Sequence, residues 1–303
     1  MTRHITVAAA QLGPNDHDRK AVLDRCIVLM ERAAGAGANL VVFPEAALTP
    51  FFPHWVVEDE EELDSYFERG MPNANVQPLF DAARRLKIAF HLGYCEIDET
   101  AGDKRRFNSA VLVDGNGEVV GKYRKIHLPG YVEPRPEEPF QNLEKRYFAV
   151  GDLGFRSWEM LGTRIGMLIC NDRRWPEAYR VLGLQRTELV LIGYNTPTTH
   201  PAFPESNRLT DFHNHLSMQA GAYQNAMWCV GTAKAGEEAG VAQIGGSCVI
   251  APSGEIVAQA GSLGDELVVH TCDLDLAARY RRNVFDLEVN RRPEHYGPLL
   301  PRT

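Results

Sequence analysis

The chain reads as an α/β protein, a four-layer α-β-β-α sandwich with an internal pseudo-two-fold duplication. Three observations carry that reading. Its strands are continuous apolar runs such as Leu40–Phe43 and Leu189–Ile192, the pattern of sheets covered on both faces. Helical periodicity separates those runs. The order strand, helix, strand, helix, strand, strand pair also occurs twice, which stacks two sheets with helices outside.

Taken in order, residues 5–12 form a buried strand that ends at the polar turn Gly13-Pro14-Asn15-Asp16. Residues 18–34 repeat apolar positions at helical spacing, and Gly35 and Gly37 stop the helix. Residues 40–44 are a second buried strand that delivers Glu45 at its carboxyl end. An acidic helix over 58–70 and a helix over 76–86 follow, with Pro78 tolerable near the latter's start. Residues 88–97 are a third strand, and 107–113 with 118–123 a hairpin around Asp114-Gly115-Asn116-Gly117. An irregular stretch, 127–153, is rich in Pro, Glu and aromatics.

The second half repeats the order with strand 165–169, helix 176–184, strand 189–193, helix 206–224 and strand 226–232. Its hairpin, 248–258, echoes 110–121 with one residue fewer in the turn. A last strand spans 267–274, and an Arg-rich tail without obvious core runs from 277. No Pro/Gly/Ser linker divides the halves, so residues 1–303 read as a single domain, with 277–303 expected at an oligomer interface.

Bulk properties exclude several functions. With 44% hydrophobic and 24% charged residues this is an ordinary globular composition. A formal net charge of -8 argues against a nucleic-acid partner. No apolar run approaches the roughly 20 residues needed to cross a bilayer. The first residues run directly into a strand pattern, without a signal-peptide core. The six cysteines lack a CxxC pair and sit in apolar contexts, which fits reduced thiols in a cytoplasm. His213 and His215, the one close histidine pair, are poorly spaced as ligands, so no metal is expected.

The chemistry centres on Arg164-Ile-Gly-Met-Leu-Ile-Cys170-Asn171-Asp172-Arg173-Arg174-Trp175-Pro176-Glu177. Cys170 ends a buried strand just before a helix that Asn171 or Asp172 can cap and Pro176 can open. Unpaired helix N–H groups there favour a thiolate and the oxyanion its attack creates. The plainer reading is a buried cysteine acting as a small hydrophobe. Glu45 likewise stands beyond the carboxyl end of a strand, where sites in α/β sheets gather. A dipole-stabilised surface carboxylate is its plainer reading. Lys125, between Tyr123 and Ile126 and close to a Pro-Gly turn, is either solvated or an inward ammonium.

With Phe43-Pro44-Glu45, Tyr123-Arg124-Lys125-Ile126-His127-Leu128 and Cys170 through Glu177 in this order and spacing, the chain resembles the nitrilase (carbon-nitrogen hydrolase) superfamily. The resemblance implies a Glu45–Lys125–Cys170 triad with Glu144 as a second glutamate. It also implies no cofactor and a homodimer or homotetramer. Glu45, in a largely apolar cleft, takes the thiol proton and returns it to the departing amine. Lys125 and the Asn171 N–H stabilise the oxyanion, and Glu144 holds Lys125.

Two adjacent guanidiniums, Arg173 and Arg174, suit a small substrate with a carboxylate close to the scissile group. Otherwise one pairs with Asp172 or Glu177 and the other is solvated. Cys170–Glu177, together with Thr49–Pro53, Leu143–Phe148, Gly193–Thr198, Leu216–Gly221 and Arg292–Gly297, is similar to the N-carbamoyl-D-amino-acid amidohydrolases. That similarity implies a binding set of Asn171, Arg173, Arg174, Asn195 and Thr196, with His127 as hydrogen-bonding support. Asn142 departs from the family, which often has a histidine two residues before the second glutamate. The alternatives are another carbon-nitrogen hydrolase (a β-ureidopropionase or aliphatic amidase), a metal hydrolase, or a non-catalytic binding protein on the same fold.

Overall fold

The computed structural model describes residues 3–15, 18–100 and 102–299; Met1, Thr2, the turn residue Asp16 and the end of the tail from 300 lie outside them. The first half runs β1 (His4–Gln11), α1 (Arg19–Gly35), β2 (Leu40–Val42), α2 (Glu60–Ser65), β3 (Glu68–Arg69), α3 (Gln77–Leu86), β4 (Ala89–Asp98), β5 (Arg105–Val113) and β6 (Val119–Arg124). A short helix, α4 (Glu144–Tyr147), interrupts the irregular stretch. The second half runs β7 (Ser157–Met160), β8 (Thr163–Ile169), α5 (Pro176–Leu184), β9 (Leu189–Tyr194), α6 (Thr210–Gln224) and β10 (Trp228–Ala233). It continues with β11 (Ala235–Glu238), β12 (Val241–Ile244), β13 (Cys248–Ile250), β14 (Ile256–Gln259) and β15 (Glu266–Asp273). Helices α7 (Leu274–Asn283) and α8 (Leu287–Asn290) close the chain.

Among the described residues, one sheet has the order β15-β1-β2-β4-β5-β6, with β3 on β4. The other has the order β14-β13-β10-β9-β8-β7. The central strands β1, β2 and β4 are parallel, as are β8, β9 and β10. Side chains alternate across β1: Ala8 and Ala10 pack beneath α1 and α3, while Val7 and Ala9 join the core between the sheets. That inter-sheet core takes in Met167, Ile169, Leu191 and Val230 from the facing sheet, while Tyr179 and Met218 of α5 and α6 pack on that sheet's outer face. The architecture is the α-β-β-α sandwich, each sheet sealed from water on both faces.

Several elements depart from the sequence pattern. The acidic helix stops at Ser65, and Glu68–Arg69 pairs with β4 instead, because Glu68 ion-pairs Arg19 of α1. The helix expected over 206–224 opens as a 3-10 turn, Pro204–Leu209, before α6. β7 and the β11–β12 hairpin lack an apolar signal and are set by pairing. The tail does have core: α7 starts at Leu274, capped by the Asp273 carboxylate, and buries Leu274 and Ala277. No described helix is long and apolar enough to cross a membrane.

Candidate active site

The carboxyl ends of β2, β6 and β8 open toward one place, and each delivers one side chain there. Beyond β2, Pro44-Glu45 turns sharply, with Ala46 in the left-handed region at φ 44°. Two glycines make the turn possible. A Cβ at Gly93 of β4 would lie 2.4 Å from the Pro44 carbonyl oxygen, and one at Gly193 of β9 2.5 Å from the Glu45 nitrogen. The Glu45 backbone is thus gripped from both halves of the molecule.

Glu45 is completely buried, and its carboxylate is fully engaged. Oε1 accepts from Lys125 Nζ at 2.7 Å and from Asn108 Nδ2 at 2.7 Å; Oε2 accepts the Asn195 N–H at 2.9 Å. The largely apolar cleft expected around it is therefore corrected to a polar one, since burial of an ionised carboxylate requires such partners. Lys125 Nζ also donates to Glu144 Oε2 at 2.6 Å. Burial opposes the Lys125 charge, but Glu144 and Glu45 outweigh it and hold the ammonium above its ordinary value. Burial raises the Glu144 carboxyl, Lys125 opposes that rise, and Glu45 adds to it. Glu144 arrives on α4 because the 127–148 stretch docks on the 50–57 loop, where Phe52 stacks on Tyr66 and packs against Tyr147.

Cys170 sits at φ 45°, the first residue of a 3-10 turn (Cys170–Arg174) between β8 and α5. Its Sγ–H donates to the Asn195 carbonyl at 3.3 Å, and Arg173 Nη1 donates to Sγ at 3.5 Å. Burial and then Glu45 push the thiol up; Lys125 and Arg173 pull it back.

Asp172 does not cap α5, which starts at Pro176 with Trp175 as N-cap and no side-chain cap bond. Its buried carboxylate braces the turn from behind instead: Oδ2 accepts from the Ile169 N–H and Tyr123 hydroxyl, Oδ1 from the His127 N–H and ring Nδ1. His127, stacked 4.9 Å from the Trp175 ring, is therefore a support for that turn and not part of the cavity wall.

A cavity of about 340 Å3 opens above Cys170. Asn171, Arg174, Asn195, Thr196 and Glu144 are among the residues that line it. Asn171 Nδ2 donates to the His127 carbonyl at 3.1 Å, and Asn195 Nδ2 to the Glu45 carbonyl at 3.0 Å. Asn195 is thus more a clamp on Glu45 than a free ligand. Asn142 reaches the same wall, its backbone bonded to Tyr131.

The two arginines part company. Among the described residues neither pairs with Asp172 or Glu177, and the exposed Arg174 on the cavity wall has no hydrogen-bond or ion-pair partner. Arg173 is corrected out of the wall: it is 1% exposed and its Nη2 donates to Thr196 Oγ1 at 2.8 Å. Asn108 is the member that the sequence reading missed. A lone amide in the apolar run Phe107–Val113 was its signal. Among the described residues no group of three or more His, Cys, Asp or Glu is placed to hold a metal ion.

Fold and site define the class, an α-β-β-α sandwich hydrolase. Residues 6–282 match the carbon-nitrogen hydrolase family, and the chain belongs to it. It is 30% identical to a nitrilase of Pyrococcus abyssi over 96% of this chain and 99% of that one. It is 29% identical to an N-carbamoylputrescine amidase of Arabidopsis thaliana, over 98% and 96% of the two chains. The crystal structure of a carbon-nitrogen hydrolase from Helicobacter pylori G27 superposes over 99% of both chains with a TM-score of 0.84 at 23% identity.

Proposed function

We propose that this carbon-nitrogen hydrolase cleaves N-carbamoyl-D-amino acids to the D-amino acid, ammonia and carbon dioxide. The observation that carries the reading is the unpartnered Arg174 guanidinium on the wall of the Cys170 cavity, a ligand for a substrate carboxylate. A relative that is an N-carbamoylputrescine amidase supports the carbamoyl group as the reacting one. The preference for the D hand rests on the sequence resemblance of Cys170–Glu177 and the segments that accompany it.

In the first step Glu45 takes the Sγ proton and the thiolate adds to the carbamoyl carbon. Lys125 and the Asn171 N–H stabilise the oxyanion, a donor pair of which each member contributes about 3 kcal/mol. The C–N bond then breaks, and the Glu45 proton leaves on the departing nitrogen. Water adds to the thioester-like carbon while Glu45 takes its proton; the S–C bond breaks, and the proton returns to Sγ. The carbamic acid released decays to an amine and carbon dioxide. Glu144 keeps Lys125 in place throughout, and Asn195 and Thr196 complete the binding wall. The exposed Val289 and Leu299 of the tail support a homo-oligomer built on that segment, which size-exclusion chromatography of the full chain and of a chain ending at 286, with α7 kept, tests.

The deciding experiment is a panel of D- and L-N-carbamoyl amino acids, N-carbamoylputrescine and simple aliphatic amides, scored by ammonia release. D-configured carbamoyl acids turn over fastest, and Arg174→Ala raises their KM about 100-fold while neutral amides are unaffected. Equal turnover of neutral amides, with Arg174→Ala silent, assigns the chain to the amidases instead.

A further inference from the structure

Arg173 is a buried cation without a buried anion. It is 1% exposed, and among the described residues no carboxylate pairs with it. Its guanidinium is held instead by the Thr196 hydroxyl at 2.8 Å and by the Tyr194 ring, with Cζ 4.6 Å from the ring centre. The third contact is the Cys170 Sγ at 3.5 Å. A guanidinium stays protonated at any ordinary pH, so this charge is permanent. Burial of an unpaired charge is strongly unfavourable unless an anion forms beside it. Of the groups in contact, the Cys170 thiol is the one whose proton the reaction removes, since burial holds the Tyr194 phenol protonated.

We propose that Arg173 is a catalytic residue, the counter-ion that stabilises the Cys170 thiolate when the Sγ proton passes to Glu45. The inference rests on the cysteine-hydrolase reading of the site but not on the identity of the substrate. Two cations, Lys125 and Arg173, stand near Sγ. When the S–H bond breaks and the proton bonds to a Glu45 oxygen, Glu45 becomes neutral and Sγ negative, with no change in net charge. Lys125 keeps its 2.6 Å bond to Glu144, so the thiolate faces a cation of its own. Asp172 lies behind the turn, held by Tyr123, His127 and the Ile169 N–H, and Arg174 looks into the cavity. Neighbouring arginines therefore divide the labour: one is kept for the nucleophile, the other for the substrate.

Alkylation by iodoacetamide reads the thiolate directly, since the thiolate displaces iodide and the thiol does not. Cys170→Ala identifies the labelled site; the other five cysteines are buried and serve as the slow background. Arg173→Met and Arg173→Gln remove the charge. Each is expected to raise the midpoint of the alkylation pH profile by about one unit and to slow labelling at pH 7 about tenfold. Arg173→Lys restores most of the rate. With the carbamoyl substrate, kcat falls in the neutral variants while KM stays within about twofold, the reverse of Arg174→Ala. An unchanged alkylation midpoint in folded Arg173→Met and Arg173→Gln overturns the proposal, as does a rise in KM with kcat intact. Should neither neutral variant fold, Thr196→Val, which frees the guanidinium from its anchor, decides: a raised midpoint supports the proposal and an unchanged one overturns it. Labelling needs no substrate, so a panel without turnover sinks the substrate reading and leaves this one standing.

Discussion

The strand ends after β2 and β9 occupy matching places in the two halves, since Leu40 of β2 pairs with Val7 of β1 and Leu189 of β9 with Ile165 of β8. They meet at the centre of the site, yet they do opposite work. The β2 end offers a carboxylate for chemistry. The β9 end offers a glycine against the Glu45 nitrogen, an N–H for Oε2, an amide for the Glu45 carbonyl and a carbonyl for the thiol. Cys170 comes from neither but from β8, one strand over. Duplication accounts for the frame, and the site arises because side chains at corresponding strand ends have diverged. The first half brings Glu45 and Lys125, the second brings Cys170, and the β9 end holds both the carboxylate and the thiol.

The strongest way to break the comparison is to remove a reactive group while leaving the frame. Cys170→Ala is expected to abolish ammonia release, and Glu45→Gln to lower kcat about 10^4-fold, with circular dichroism unchanged. Activity retained in either would show that the strand ends do not act together.

Next comes the clamp. Gly193→Ala pushes a methyl into the Glu45 nitrogen from the second half, and Gly93→Ala pushes one into Pro44 from the first. Each is expected to lower kcat about 100-fold through displacement of Glu45, and to cost about 1–3 kcal/mol in denaturant melts. If Gly193→Ala alone is harmless, the second half is not a clamp.

A smaller effect belongs to Asn108, which supports Glu45 from its own sheet. Asn108→Leu removes one of three donor contacts at Glu45 and is expected to reduce kcat/KM about tenfold.

The smallest effect on turnover comes with a pH effect on stability under the β2 end. His91 of β4 donates its Nδ1–H to the Phe43 carbonyl, and burial lowers its pKa from 6.5 to about 4. The unfolded chain takes up that proton first, so the folded state loses stability as pH falls from about 6.5 toward 4 and gains none above it. His54, lowered to about 3 by burial and then by Lys234, adds in the same sense. His91→Gln keeps a donor for Phe43 and is expected to flatten the acid side of the unfolding free energy plotted against pH, from denaturant melts, by up to about 3 kcal/mol, with kcat at pH 7 nearly unchanged.

Much of this molecule can be read from the chain alone, because its signals are local. Apolar runs such as Leu40–Phe43 must be covered on both faces, and their repeated order implies two sheets. Glu45 and Cys170 each end such a run, so both lie at strand ends before any coordinates are known. Lys125 and Glu144 needed the family pattern, since neither an ammonium after a hairpin nor a glutamate in an irregular stretch has a periodicity that points inward. Tertiary structure alone decided the rest. Arg173 and Arg174 are adjacent and chemically alike, but the 3-10 turn aims one into the core against Tyr194 and Thr196 and the other into the cavity. Asp172 looks like a helix cap and is a brace, because Tyr123 and His127 arrive from another sheet. Asn195 becomes a clamp only when β9 crosses β2. Sequence records which side chains can bond. Which of them meet is set by packing two halves whose contacting residues stand 150 positions apart along the chain.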